Sequence, residues 1–265
     1  MSSLLDNLTE VRERISRAAG RSGRSERDVR LIAVTKTVGI DVITEAISAG
    51  LTEFGENRVQ EALAKVPELP TNISWHLVGT LQRNKARHVV GVFSMVHSLD
   101  SVELARELDR RAAAIGVPID ALVQVNVARE PQKSGVAPEG AADLLRAVCG
   151  LENVRVRGLM IMAPYSADPE AARPWFRQGR QLLAQLARMN LPGVEMEQLS
   201  MGMSGDFEVA IEEGATMVRI GSALFGSRPA PAGRPQPEGK DEGAGEGANA
   251  DAAMGDAGGE RRAQR

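Results

Sequence analysis

From Arg30 to Ile220 the sequence alternates between two textures. Short runs rich in Val, Ile and Leu read as strands, and the segments between them carry apolar residues at helical spacing. The strand-like runs are Arg30–Thr35, Thr52–Gly55, Ser74–Val78, Met95–Ser98, Ala121–Val127, Val154–Ile161, Glu197–Ser200 and Met217–Ile220. Between them the pattern predicts helices over Val42–Ala49, Arg58–Lys65, Gln82–Val90 and Phe207–Glu213. A further helix is capped by Asp100, with Glu103 three residues on and Leu104, Leu108 and Ile115 on one face. Another opens at Pro138, and a long one runs from Asp168-Pro169 to about Met189. Parallel neighbours need crossover helices, so strict alternation predicts an α/β fold with a parallel sheet. Eight such units in this span suit a closed (β/α)8 TIM barrel. A doubly wound open sheet is the alternative, and the first strand argues against it because no G-x-G-x-x-G follows.

An additional helix precedes the barrel. Leu5, Leu8, Val11, Ile15 and Ala18 recur at helical spacing, and Gly20 is a plausible stop. From Ser227 onward the chain is rich in Pro, Gly, Ala and charge, with almost no large apolar side chains. Such a segment cannot bury enough surface to offset its ordering entropy. The expected organisation is a barrel over 1–226 and a disordered, low-complexity tail over 227–265.

Composition narrows the function classes. Hydrophobic residues make up 43% and charged residues 25%, as in a soluble globular protein, while aromatics are only 3%. The formal net charge of −3 leaves no basic surplus for a phosphate backbone, which argues against nucleic acid as a partner. Arg83, Lys85, Arg87 and His88 form a small basic cluster, read as a solvated helix face. Cys149 is the sole cysteine, so no intrachain disulfide and no cysteine-based metal site can form. It reads as a small apolar residue near a helix end. The first residues lack the basic and apolar stretches of a signal peptide, and no apolar run is long enough to span a bilayer. The expectation is a cytoplasmic protein that makes no membrane contact.

In a barrel of this kind the site lies at the C-terminal ends of the strands. Lys36 follows the first strand directly, where a buried run meets the barrel mouth. A lysine partly withdrawn from water holds more of its amine neutral, which imine formation requires. The competing reading is a lysine that snorkels to solvent. Gly- and Ser-bearing turns follow the last two strands, Ser200-Met-Gly-Met-Ser204 and Gly221-Ser222. Small residues let backbone N–H groups approach an anion, and barrel phosphate sites are commonly built there. The competing reading is helix capping by Ser204 and Ser222. Arg219 sits within an apolar strand and needs a partner, either a ligand or a core carboxylate such as Glu56 or Glu197.

The same residues carry a resemblance. Ala33-Val-Thr-Lys36, Phe54-Gly-Glu-Asn-Arg-Val-Gln-Glu61, Trp75-His-Leu-Val-Gly79 with Gln82 and Asn84-Lys85, Gly158-Leu-Met, Leu199-Ser-Met-Gly-Met-Ser204 and Val218-Arg-Ile-Gly221 occur in order. Together they resemble the pyridoxal phosphate homeostasis protein family (YggS/PROSC type) over roughly residues 3 to 226. The resemblance implies a fold-type III barrel similar to the N-terminal domain of alanine racemase. It implies pyridoxal 5′-phosphate (PLP) held on Lys36 as an internal aldimine. It implies Ser200, Ser204, Gly221 and Ser222 around the phosphate, Arg219 at the pyridine nitrogen, and Asn57, His76 and Met162 lining the pocket.

What such a chain does with PLP turns on proton chemistry. The ring nitrogen is the better electron sink when protonated, and an arginine partner does not supply that proton. Racemisation also needs an acid or base on each face of the substrate. In alanine racemase the second residue is a tyrosine from a separate C-terminal domain, whereas only the tail is expected after this barrel. Tyr165, the sole tyrosine, reads as a loop residue. The expected function is a non-catalytic PLP carrier, a monomer that buffers the cofactor or delivers it to PLP-dependent apo-enzymes. The alternative is a barrel-only, PLP-dependent amino-acid racemase.

Overall fold

A computed structural model describes residues 3–226. The tail expected over 227–265 lies outside the described residues. Eight parallel strands close on themselves in sequence order: β1 (Arg30–Val34), β2 (Glu53–Glu56), β3 (Ser74–Leu77), β4 (Met95–Leu99), β5 (Ile119–Val125), β6 (Val154–Ile161), β7 (Val194–Ser200) and β8 (Met217–Ile220). The barrel is sealed by β1, which pairs with β2 through Ala33 and Phe54 and with β8 through Ile32 and Arg219. The fold is therefore the (β/α)8 barrel that the alternation predicts.

Two apolar layers follow from the two faces of each strand. Inside the barrel, Ile32, Met95, Leu122, Met160 and Met217 form one small cluster. Outside, residues such as Ala33, Phe54, Leu77, Val96, Val123 and Leu199 belong to the larger core under the helices. Those helices are α1 (Leu4–Arg21), α2 (Ile40–Ser48), α3 (Val59–Lys65), α4 (Val102–Ile115), α5 (Ala141–Val148), α6 (Arg173–Ala187), α7 (Phe207–Glu212) and α8 (Ser222–Phe225). The added N-terminal helix α1 buries Leu4, Leu8, Val11, Ile15, Ala18 and Ala19 and packs against α7 and α8.

Several local expectations are corrected. The helix expected over Gln82–Val90 is a 3-10 turn, Arg83–His88, in which only Ala86 is buried. Ala86 and, just past the turn, Val89 and Val90 are buried, and the segment packs against α4 without becoming α-helical. Its basic side chains face outward, as read. The N-cap of α4 is Ser101, whose hydroxyl accepts from Leu104 N, so Asp100 is not the cap. Ile115 is exposed and Ala112 completes the buried face instead. The long helix expected from Asp168 begins as a 3-10 turn, Pro169–Ala172, and becomes α-helical only at Arg173. Pro174 lacks the N–H that would bond back into a continuous helix.

Candidate functional site

A cleft of about 670 Å³ opens at the C-terminal ends of the strands. Its wall includes Lys36, Asn57, Met162, Ser204, Arg219, Gly221 and Ser222 among the residues nominated from sequence. Lys133, Tyr165 and Asp206 also line it. His76 and Ser200 do not. Both are fully buried in the barrel interior below the cleft, because their strand positions turn them toward the axis rather than the mouth. This corrects the expectation that His76 lines the pocket and that Ser200 touches the phosphate.

Lys36 stands in the turn that leaves β1. The next residue, Thr37, adopts a left-handed backbone with φ of 62°, uncommon for a threonine. A buried cluster holds this turn from both sides. Lys65 Nζ donates to the Thr35 carbonyl at 2.8 Å, to Glu56 Oε1 at 2.7 Å and to Glu61 Oε1 at 3.0 Å. Thr35 Oγ1 donates to Glu56 Oε1 at 2.7 Å, and Thr37 N donates to Glu61. Burial pushes the Glu56 carboxyl up, against the opposing hydrogen bonds from Lys65 and Thr35. Burial acts in the same sense on Glu61, but the Thr37 amide and Lys65 outweigh it and hold that carboxyl below its usual range.

The opposite wall is made of backbone. Ser204 Oγ accepts from Gly221 N at 3.3 Å and from Ala223 N at 3.1 Å, so it ties the β7 turn to the β8 turn. Its hydroxyl proton remains to donate to an anion. It does not cap α7, whose N-cap is Asp206. Gly202 has φ of 89°, and a Cβ there would lie 2.6 Å from Ala210 Cβ and 2.9 Å from Phe207 Cα. Only glycine lets the chain pass so close to α7 before it reaches the cleft. Asp206 Oδ1 accepts from Met203 N at 2.6 Å.

Arg219 forms part of the cleft floor. It is 5% exposed and donates to Ser200 Oγ at 2.6 Å and to the Ile161 carbonyl at 3.0 Å. Neither proposed carboxylate partner takes it: Glu56 pairs with Lys65, and Glu197 is exposed. Burial pushes the guanidinium down to about 10, with Asp206 opposing. Asn57 reaches the cleft across a close backbone crossing, since a Cβ on Gly79 would lie 2.2 Å from its carbonyl oxygen.

The model of the alanine racemase N-terminal domain matches residues 7–229. A pyridoxal phosphate homeostasis protein of Aquifex aeolicus is 46% identical over 224 residues, covering 84% of this chain and 97% of that one. The chain belongs to the pyridoxal phosphate homeostasis protein family. Its Escherichia coli (strain K12) member is 41% identical over 86% of this chain and 98% of its own length. PipY of Synechococcus elongatus PCC7942, solved with PLP bound, superposes with a TM-score of 0.74 at 38% identity over 84% of this chain and 100% of that one.

The chemistry of the cleft fits that family's cofactor. A primary amine, a deep guanidinium and a turn of small residues with hydroxyl and amide donors are the groups an aldehyde, a ring nitrogen and a phosphate would meet. Sequence reasoning missed Lys65 and Glu61, which act behind Lys36. Their spacing of four residues on α3 was the available signal. It also missed Lys133 and Asp206. Both sit in loops, where no strand-end rule nominates a side chain.

Proposed function

We propose that this protein binds pyridoxal 5′-phosphate on Lys36 and serves cellular PLP homeostasis by buffering or delivering the cofactor. The observation that carries this reading is the convergence of Lys36, Arg219 and the Ser204–Gly221–Ser222 turns on one cleft. PLP, when bound, supplies an aldehyde that condenses reversibly with an amine. Lys36 offers the amine from a turn braced by Lys65 and Glu61. The hydroxyls of Ser204 and Ser222 and the Gly221 segment hold the phosphate. Arg219 donates to the ring nitrogen, a contact that keeps this nitrogen unprotonated and discourages carbanion chemistry. Asn57 and Met162 pack beside the ring. The recipients are PLP-dependent apo-enzymes, the protein acts as a monomer in the cytoplasm, and residues 1–226 form its functional unit.

The homeostasis function of the relatives supports a carrier rather than a racemase. So does Tyr165, which is 97% exposed at the cleft rim and not held against a substrate face. Reconstitution with PLP should turn the protein yellow. Borohydride reduction followed by peptide mass spectrometry should then find the cofactor on Lys36, and a Lys36→Ala variant should lose the colour. Recovery of the label on Lys133 or Lys85 would sink the assignment. Incubation of the holo-protein with L-amino acids in heavy water should leave Cα unlabelled, whereas exchange at enzyme-like rates would establish the racemase.

A further inference from the structure

Below the cleft, a single file of polar side chains crosses the barrel interior. Arg219 Nη1 donates to Ser200 Oγ at 2.6 Å, and Ser200 Oγ lies 3.0 Å from His97 Nδ1. His97 Nε2 lies 2.9 Å from His76 Nδ1, and His76 Nε2 lies 2.5 Å from Glu53 Oε2. Glu53 Oε2 also accepts from Arg30 Nη2 at 2.8 Å. The file draws on β8, β7, β4, β3 and β2 in turn. Glu53 and Arg30 open β2 and β1, so it ends at the opposite mouth of the barrel from Lys36. His76, His97 and Ser200 are essentially inaccessible to water. Burying so many polar groups is costly unless each is satisfied. Holding a cofactor at the mouth does not by itself require the file to reach the far end.

Hydrogen-bond arithmetic gives the file a direction. A guanidinium only donates, so Ser200 Oγ accepts from Arg219. A carboxylate only accepts, so His76 Nε2 carries a hydrogen. Burial holds His97 well below the usual histidine range, and the positive charges of Arg219 and Arg30 push the same way. His97 is therefore neutral, with one donor nitrogen and one acceptor nitrogen. The Ser200 hydroxyl proton finds its acceptor in His97 Nδ1, and His97 Nε2–H then donates to His76 Nδ1. Every group is satisfied, and every bond points from Arg219 toward Glu53. The reverse order would leave the Ser200 hydroxyl without an acceptor among these partners. Each bond in the file turns its negative end to Arg219 and its positive end to Glu53.

We propose that Glu53, His76, His97 and Ser200 are positioning residues for Arg219, forming a one-way hydrogen-bond relay that ties the cation at the cleft floor to a carboxylate at the far end of the barrel. The relay gives Arg219 the compensation that no directly bonded carboxylate provides. The charged groups around it are Arg30 on β1, Glu53 on β2 and Asp206 from the turn before α7. The other inward neighbours, Ile32, Met95, Leu122, Met160 and Met217, are apolar and leave the file insulated. A ring nitrogen bonded to Arg219 would feel Glu53 through this file. That consequence rests on the PLP reading; the relay itself does not.

The first test uses the cofactor-free protein. The chain has three histidines, so nitrogen-15 ring correlation spectra at pH 8 are readily assigned with a His88→Gln control. Both His76 and His97 should show a protonated Nε2 and a bare Nδ1. A protonated Nδ1 on His97, or an imidazolium at either ring, overturns the relay. The second test uses the holo-protein. Glu53→Gln keeps an acceptor for His76 but removes the charge. It should move the pH midpoint of the visible cofactor band by about one unit. In a Ser200→Ala background, where the file is cut, the same substitution should move it little. Equal shifts in both backgrounds, or none in either, overturn the relay. Absence of any visible band in the wild type would count against the PLP reading alone, and the nitrogen spectra would still decide the relay.

Discussion

The cleft has two walls held by different means. Around Lys36 the wall is held by side chains: Thr35, Glu56, Glu61 and Lys65 form a buried, charged cluster behind the turn. Across the cleft, the turns after β7 and β8 are held by backbone: Gly202 threads past α7, and Ser204 links the two turns through Gly221 N and Ala223 N. On the proposed reading, the difference follows from the partner each wall would meet. A covalent bond requires one amine at one position, and ion pairs anchored on β2 and α3 can fix a turn that would otherwise relax from its left-handed residue. An anion is satisfied by several N–H and O–H groups at once, so that wall needs close approach more than charge. The lysine wall should therefore fail through charge and the anion wall through shape.

Lys65→Met is the strongest test. Glu56 is fully buried and its Oε2 already has no hydrogen-bond partner among the described residues. Removing Lys65 leaves that carboxyl and the Thr35 carbonyl without their cation. Breaking such a pair costs about 3–5 kcal/mol, which urea denaturation of the variant should show. The double variant Glu56→Leu, Lys65→Met leaves no fully buried charge, since the remaining Glu61 is partly exposed and keeps the Thr37 amide, and it should recover part of the loss. If the single and double variants are equally destabilised, the cluster is packing rather than electrostatics.

Gly202→Ala attacks the other wall and should cost less, about 2 kcal/mol, because a Cβ at this φ is strained and meets Ala210 and Phe207. The same backbone carries the anion turn, and the Gly202 carbonyl accepts from Arg219 N at 3.0 Å. Thermal melting should therefore drop, and retention of PLP through gel filtration should drop with it. A loss of stability with unchanged retention would separate Gly202 from the anion wall.

How far each wall was legible in sequence follows from the same contrast. Lys36, Ser204, Arg219, Gly221 and Ser222 sit at or just past strand ends, where alternation alone locates the barrel mouth. The closed barrel itself was legible because strands and helices have different periods. Lys65 and Glu61 were not, because a charged pair on a helix normally faces water. Only the packing of α3 against the Lys36 turn reveals that this one faces inward. His76 was placed on the wrong level for a related reason. Strand periodicity tells inside from outside, but not height along the axis, which depends on register: His76 pairs with Gly55 and Met95, below the mouth. His97 shares that inward parity on β4, and two mid-strand histidines on adjacent strands were a signal that went unused.

The smallest effect expected is at Asp206→Asn, and its sign tests which wall is charge-sensitive. Burial pushes the Asp206 carboxyl up, against the opposing pull of the Met203 amide and Arg219. A carboxyl raised in the folded state binds its proton more tightly there than in the unfolded chain. Stability then falls as pH rises from the ordinary aspartate range through the raised folded value, and the penalty persists above it. Asparagine keeps an acceptor for Met203 N but carries no charge. The variant should be at least as stable as the wild type at pH 7, by a few tenths of a kcal/mol, and should lose the part of the acid-side gain that Asp206 supplies. Urea midpoints measured between pH 4 and 7 would show a flatter profile. A variant markedly less stable at neutral pH would mean that the anion wall depends on the Asp206 charge, and the division between the walls would then not hold.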